Sequence, residues 1–322
     1  MATHFSVLPV DIIDTIRQQI ENVDDQKISF VRLPHPRTGV PALFLPYLLT
    51  KSSSSSKYKW GILEAQSISP PNQRSWFTND DQVVADGKLL IMTPIDPAFL
   101  LLRLLLAARP ADGTTGMFQP LDDIFEDVAS KLDSGIMQED IARLTGLDCV
   151  AGAMRRICDF QDVTPEMTVY RYSEDKLMTY LKIKVTHLAT PAVNELSRTI
   201  VRELAKDELM DDGKEQLLEL GRTKSACNLL SQYLPPEIYR ALLSSYDFAT
   251  LDIHIQALRD EATAANTSPP IKTKDTNKGA SAEKGEGKKR KGKATKASAG
   301  VEKLKKANTA GMAKLSTFFT KQ

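Results

Sequence analysis

Apolar residues follow two rhythms along the chain, and the change from one to the other falls near Thr93. Ile12, Ile13, Ile16 and Ile20 sit at helical spacing, which predicts a short amphipathic helix over 8–20. The texture then becomes strand-like. Ile28–Leu33, Ala42–Leu49, Tyr58–Ile68, Arg74–Phe77 and Lys88–Met92 are short runs rich in β-branched and aromatic residues. Pro34, Pro36, Gly39, Pro41, Ser52–Ser56, Pro70, Pro71 and Asp86-Gly87 punctuate them as turns and loops. At Asp86-Gly87 a tight turn is expected, with glycine supplying positive φ. Several runs are apolar on consecutive positions, as in Leu43-Phe44-Leu45, so both faces of those strands need cover. A sheet this small can hardly cover itself twice, and a partner chain is expected to supply the rest.

After Thr93 the period becomes helical. Asp96-Pro97 reads as an N-cap followed by proline at the first helical position, opening a buried helix to about Ala108. Leu121–Ala129, Met137–Leu144 and Ala151–Cys158 read as three short helices, with Gly146 ending the second of them. Thr168–Tyr172 alternates as a strand. Ser173 then caps a helix with Glu174 and Asp175 in its first turn, where acids suit the dipole. Val193–Leu209, Gly221–Tyr233 and Pro236–Tyr246 are further helices. Short helices followed by a β segment and a longer helix resemble a winged-helix module.

The fold class expected is α+β. Residues 1–93 form a small strand-rich, barrel-like half-domain completed by a partner chain, and 94–250 a helical winged-helix-like domain. Residues 251–311 form a flexible basic linker, and 312–319 a short terminal peptide. From Ile271 the chain has almost no large apolar residue before Leu304, a composition that cannot build a core.

Charge sharpens that division. The net charge is +1, but residues 271–322 carry +11, which leaves −10 on the remainder. An acidic body with a basic tail suits phosphate contact by the tail, not by the body. Three widely spaced cysteines, Cys149, Cys158 and Cys227, give no disulfide framework or zinc pattern, which suits a reducing compartment. The N-terminus has Asp11 and Asp14 and no basic region before an apolar stretch, so no secretory signal is expected. The most apolar run, 98–108, contains Arg103 and is too short to span a bilayer, so no membrane contact is expected.

Catalytic chemistry finds no pattern here. His4, His35, His187 and His254 lie in no metal-binding context, and there is no nucleophile elbow or phosphate-binding glycine loop. Asp24-Asp25, Asp80-Asp81, Asp122-Asp123 and Asp211-Asp212 are adjacent acids of the kind that solvate loops or cap helices; two-metal catalysis needs carboxylates that converge. No catalytic residue and no metal or cofactor site is expected on this chain. The best candidate for a DNA-reading helix, 151–158, offers Arg155 and Arg156, but Asp148, Asp159 and Asp162 flank it, which opposes a duplex.

One series of segments carries a resemblance. Ser75-Trp76-Phe77-Thr78-Asn79 precedes Gly87-Lys88-Leu89-Leu90, then Thr93-Pro94-Ile95-Asp96-Pro97-Ala98-Phe99-Leu100-Leu101-Leu102, and after a polar gap Phe118-Gln119-Pro120-Leu121-Asp122. This series resembles the B subunit of eukaryotic type 2 ribonuclease H. The likeness continues through Tyr170-Arg171-Tyr172-Ser173 and Ser231-Gln232-Tyr233-Leu234-Pro235. The resemblance implies a non-catalytic nuclear subunit whose strands interleave with the C subunit into a shared barrel. It places the catalytic carboxylates, and the magnesium they use, on the A subunit. The complex so implied cuts the RNA strand of RNA–DNA hybrids and starts removal of single ribonucleotides from DNA. Trp76, Phe77, Pro94, Asp96, Pro97, Phe99, Leu100, Phe118, Pro120 and Leu121 are then structural motif residues. A strand-to-helix turn and a core helix explain the central stretch equally well.

Two tail motifs remain. Lys288, Lys289, Arg290, Lys291 and Lys293 form a basic cluster that reads as a nuclear import signal, or as a solvated charge run. Met312, Leu315, Phe318 and Phe319 resemble the peptide box that fills the hydrophobic pocket of the DNA sliding clamp, proliferating cell nuclear antigen. Met312 stands where that box usually has glutamine. Two phenylalanines in a polar tail gain nothing unless they dock. The alternative function is a winged-helix transcription or chromatin factor with a basic tail; a basic surface on 151–158 would favour it.

Overall fold

The computed structural model describes residues 4–21, 28–49, 59–78, 82–110, 116–126, 128–132 and 135–267. The strand-rich part comprises β1 (Phe5–Val7), α1 (Val10–Glu21), β2 (Val31–Pro34), β3 (Pro41–Leu49), β4 (Lys59–Ile68), β5 (Trp76–Phe77), β6 (Val83–Val84) and β7 (Leu89–Pro94). Five of these strands make one sheet in the order β1-β7-β4-β3-β2. β1 runs parallel to β7, and the other neighbours are antiparallel. Among the described residues the sheet does not close, and β1 and β2 are its outermost strands.

The expected strand 74–77 does not join this sheet. It supplies β5, which pairs with β6 in a separate two-stranded ribbon. β1 and β6 are additions to the strands that the sequence predicts. Gly87 also has a different reason from the one expected. Its φ is not positive; instead, a Cβ there would lie 2.4 Å from the Arg74 carbonyl oxygen, so only glycine lets the two backbones approach.

Side chains on a strand alternate between faces. β3 nevertheless buries four residues in a row, Phe44 to Tyr47, because the sheet is covered twice. On one face Val31, Leu33, Phe44 and Ile62 belong to the main core, shared with the helical part. On the other, Leu45, Tyr47, Leu63 and Met92 pack under Ile12 of α1, with Leu8, Ile16, Ile28 and Ala65 around them. Apolar surface remains on and beside α1. Ile13 and Ile20 stand 44% and 66% exposed, and Leu43 of β3 is 40% exposed.

The helical part follows as α2 (Pro97–Ala108), β8 (Gln119–Pro120), α3 (Leu121–Phe125), a 3-10 turn (Val128–Lys131), α4 (Gln138–Thr145) and α5 (Asp148–Ile157). Then come β9 (Cys158–Asp162), β10 (Thr168–Tyr172), α6 (Glu174–Leu188), α7 (Pro191–Asn194), α8 (Arg198–Lys206), α9 (Glu215–Leu230), α10 (Pro236–Ser244) and α11 (Ala249–Thr267). α2 is the centre of the main core: Ala98 to Leu102, Leu104 and Leu105 are all buried. β9 and β10 form an antiparallel hairpin, with β8 on the far side of β10. The tight α4–α5 turn followed by this hairpin is the winged-helix arrangement that the pattern predicts.

Several boundaries differ from expectation. The helix expected over 121–129 divides into α3 and the 3-10 turn. That expected over 193–209 divides into α7 and α8, because the Ser197 hydroxyl accepts the Ile200 N–H and restarts the helix. Residues 251–267, expected in the basic linker, are helical: α11 buries Leu251 against the core, lays Ile255 beside it and pairs Asp252 with Lys224 of α9. Among the described residues no helix is long and apolar enough to cross a membrane.

The two-faced sheet gives a direct test. Phe44→Ala, at a fully buried position, should cost about 3–5 kcal/mol. Leu43→Ala, one residue along on the half-open face, should cost well under about 2 kcal/mol in the isolated chain. Urea midpoints of the two variants measure the contrast.

Candidate functional site

The motif residues do not assemble into a single pocket. They lie at three places where one element hands over to the next. The Trp76 indole N–H donates to the Lys88 carbonyl at 3.2 Å, and the ring packs on Phe5 with centroids 5.3 Å apart. Phe77 beside it is 81% exposed. Phe118 lies under the Arg171 guanidinium, 4.5 Å from ring centre to carbon, and Pro120 and Leu121 carry the chain from β8 into α3. The most connected place is the turn from β7 to α2, where Pro94, Asp96, Pro97, Phe99 and Leu100 stand.

Asp96 organises that turn. Its Oδ1 accepts the Ala98 N–H at 3.1 Å, which caps α2, and Pro97 takes the first helical position. The same carboxylate accepts the Tyr180 hydroxyl at 2.6 Å, Arg156 at 2.8 Å and Lys184 at 2.8 Å. One side chain, 15% exposed, therefore joins α2 to α5 and α6. Burial alone would raise its pKa; the bonds from Lys184, Tyr180 and the Ala98 N–H, together with Arg156, overcome this and hold it below the ordinary carboxylate value.

The winged helix faces inward. The Trp60 N–H of β4 donates to Asp148 at the start of α5, at 3.0 Å. The Arg32 N–H of β2 donates to Asp140 of α4 at 3.1 Å, and Arg143 donates to the carbonyls of Ser29 and Phe30. α4 and α5 are thus stapled to the sheet. On the remaining face of α5, Arg155 binds Asp162 at 2.6 Å and lies over the Phe160 ring, while Arg156 binds Asp96. Both arginines that a duplex would need are engaged within the chain, and the helix end that would enter a groove meets β4. Asp159 binds Arg171 at 3.1 Å, so all three acids flanking this helix have partners.

A cavity of about 730 Å³ opens between α2 and the three-stranded sheet, lined by Leu105, Arg109, Gln119, Tyr170, Tyr172 and Glu174, among others. Its cations are paired, Arg109 with Glu174 at 2.9 Å and Arg171 with Asp159. Among the described residues, no three His, Cys, Asp or Glu side chains group as a metal site. Burial holds the Cys149 and Cys158 thiols up at about 12, far from a reactive thiolate. A shallower apolar groove of about 280 Å³ runs along α1, lined by Leu8, Ile13, Ile16 and Ile20 with Arg17 and Glu21. The basic cluster Lys288–Lys293 and the peptide residues Met312, Leu315, Phe318 and Phe319 lie outside the described residues.

Comparison with known proteins fits this division. Residues 20–96 match the Ydr279p protein triple barrel domain. Residues 99–243 match the wHTH domain of the Ydr279p protein family, described as an RNase H2 complex component. The chain belongs to the Ydr279p family. Among the relatives it resembles, the ribonuclease H2 B subunit of Xenopus tropicalis is 29% identical over 172 residues, 53% of this chain and 48% of the relative. The protein of the same name from Homo sapiens is 29% identical over 178 residues, 53% of this chain and 49% of the relative. The one from Schizosaccharomyces pombe is 43% identical over 79 residues, 24% of this chain and 23% of the relative. The chain thus spans about half the length of the vertebrate relatives it matches. The family boundary between 96 and 99 falls on the Asp96 turn, where the sheet ends and the helical part begins. α11 lies beyond the wHTH match.

Glu64, and Tyr233 of the Ser231–Pro235 segment, meet across the same boundary. The Tyr233 hydroxyl donates to Glu64 Oε2 at 2.8 Å, although the residues are 169 apart in sequence. Glu64 is 2% exposed. A glutamate on the inner face of a strand was the available signal, because buried carboxylates need partners.

Asp96→Ala should lower stability by about 2–4 kcal/mol, through the lost cap and an unpartnered Tyr180 hydroxyl. Asp96→Asn keeps the cap and should cost less. Because the folded pKa of Asp96 lies below its ordinary 3.8, its charge contributes fully above that value. That contribution is lost as pH falls through the folded pKa, so the gap between wild type and Asp96→Asn should narrow in acid. Urea titrations at neutral and acid pH read both effects.

Proposed function

We propose that this chain is a non-catalytic scaffold subunit of a type 2 ribonuclease H complex, assembled with the A and C subunits. In this reading the complex cleaves the RNA strand of RNA–DNA hybrids and initiates removal of ribonucleotides misincorporated in DNA. The catalytic carboxylates and their magnesium belong to the A subunit. The observation that carries the reading is apolar surface left exposed beside an open-edged sheet: Ile13 and Ile20 on the outer side of α1, which line a groove, and Leu43 of β3. In a family whose domain is described as a triple barrel, the sheet here ends at β1 with no further strand among the described residues, whereas at β2 the outward Arg32 N–H is already taken by Asp140 of α4. A strand from a second chain would satisfy the β1 edge and cover that apolar surface together.

The tail supplies the remaining parts of the proposal. Met312, Leu315, Phe318 and Phe319 tether the complex to the DNA sliding clamp, and Lys288, Lys289, Arg290, Lys291 and Lys293 direct it to the nucleus. RNA–DNA hybrid is met through the complex. The alternative, a transcription or chromatin factor reading DNA with its winged helix, draws no support from α5, whose arginines are spent on Asp162 and Asp96.

Co-expression with the A and C subunits should yield a soluble complex that cleaves a hybrid in magnesium, and the purified chain alone should leave the hybrid intact. Cleavage by the chain alone, persisting after nuclease contaminants are removed, would refute the division of labour.

Phe318→Ala with Phe319→Ala should weaken clamp binding by one to several orders of magnitude, since each buried ring contributes roughly 1.5–3 kcal/mol. Assembly with the other subunits should be unaffected. Calorimetric titration of the clamp with wild-type and double-mutant complexes measures this, and equal affinities would sink the assignment.

A further inference from the structure

The turn between β2 and β3 is closed by a histidine side chain. His35 Nδ1 accepts the Arg37 N–H at 3.2 Å and the Thr38 N–H at 3.4 Å. The Gly39 N–H returns to the His35 carbonyl, and the His35 N–H donates to the Val40 carbonyl. Gly39 takes φ +74°, and a Cβ there would lie 2.7 Å from the Arg103 guanidinium of α2, so the turn is pressed onto the helical part.

The other edge of the ring points into the boundary. His35 Nε2 lies 3.5 Å from Glu64 Oε1, and the ring stacks on Tyr233 with centroids 6.0 Å apart. Tyr233 in turn packs on Phe99 of α2 at 5.7 Å and gives its hydroxyl to the second oxygen of Glu64. Burial and the adjacent Glu64 hold the Tyr233 phenol well above its ordinary range, so it remains a donor.

The geometry fixes the tautomer. A nitrogen that accepts two backbone N–H groups carries no proton, so a neutral ring must hold its single proton on Nε2, facing Glu64. A second proton has only Nδ1 to go to. There it would confront two N–H groups and break the turn.

We propose that His35 is a proton-sensitive latch across the boundary between the sheet and the helical part: the neutral ring closes the β2–β3 turn onto Glu64 and Tyr233, and the protonated ring opens it. The groups that face the ring decide the direction. Burial disfavours the imidazolium, Glu64 of β4 favours it, and Arg37 in the turn opposes it; the balance sets the pKa below the ordinary 6.5. Arg103 of α2, beneath the turn, is a further cation on that side. Tyr233 is uncharged. A base whose folded pKa lies below its open-state value stabilises the closed state fully above the open-state value. That stability drains away as pH falls from 6.5 toward the folded pKa, and then levels off.

Amide hydrogen exchange on the full-length chain, from about pH 7.5 to about pH 5.5, tests the latch. After correction for intrinsic exchange rates, protection of the Arg37 and Thr38 amides should fall below about pH 6.5, by up to about tenfold per pH unit. His35→Asn keeps an acceptor for the turn, as asparagine commonly does, but cannot titrate. Its protection should stay level over the same range. Should that variant fold poorly, His35→Gln, which can reach Glu64 and likewise cannot titrate, serves the same comparison. Level protection in the wild type, or the same pH-dependent loss in the non-titrating variant, overturns the proposal.

Discussion

Strand β3 buries Phe44, Leu45, Pro46 and Tyr47 in succession. Because neighbouring side chains on a strand point to opposite faces, water must be kept from both sides of the sheet. The rest of the architecture answers to that constraint. One face is dried by the helical part, whose central helix α2 is buried on nearly every side. Among the described residues the other is covered chiefly by α1, a helix of twelve residues, with Ile13 and Ile20 exposed on its outer side and Leu43 of β3 exposed beside it. The first cover makes sheet and helices one hydrophobic unit. The second leaves an apolar surface, which is where the proposed scaffold function resides.

Joining the two parts requires polar contacts as well as apolar ones. Asp96 caps α2 and gathers Arg156, Tyr180 and Lys184, so the turn after β7 also orients α5 and α6. Glu64 and Tyr233 form a second tie, deeper and drier, with His35 against it. Both ties draw on buried or half-buried carboxylates, whose cost is offset only when every oxygen finds a donor. The winged helix is drawn into this framework through Asp140 and Asp148, which accept N–H groups from β2 and β4. In this chain it packs on the sheet.

Much of this is legible in the sequence, and the misses have physical causes. The Asp96-Pro97 cap, the buried α2, strands β2, β3, β4, β7 and β10 and the Ser173 cap of α6 are each written in local residue chemistry. β1 is not, since a three-residue strand leaves no period to read. β9 is hidden because the helical spacing of α5 runs directly into it. α11 reads as linker because its apolar stripe, Leu251 and Ile255, is sparse and leads into a polar tail. The partners of Asp96 are also out of reach: Tyr180 lies 84 residues away. Arg155 and Arg156 can be judged in the sequence only by their acidic surroundings, and the structure supplies the pairing that local sequence leaves open. His35, set between two prolines, reads simply as a turn until Glu64 and Tyr233 are placed beside it.

The central claim is that the open side of the sheet is where the other subunits bind. Hydrogen exchange of this chain, compared free and in complex with the A and C subunits, tests it most directly. The account predicts that assembly slows exchange along β1 and α1, while β2 and α5, already tied within the chain, change little. Unchanged exchange at β1 and α1, with new protection confined to α5 when duplex DNA is added, would contradict it.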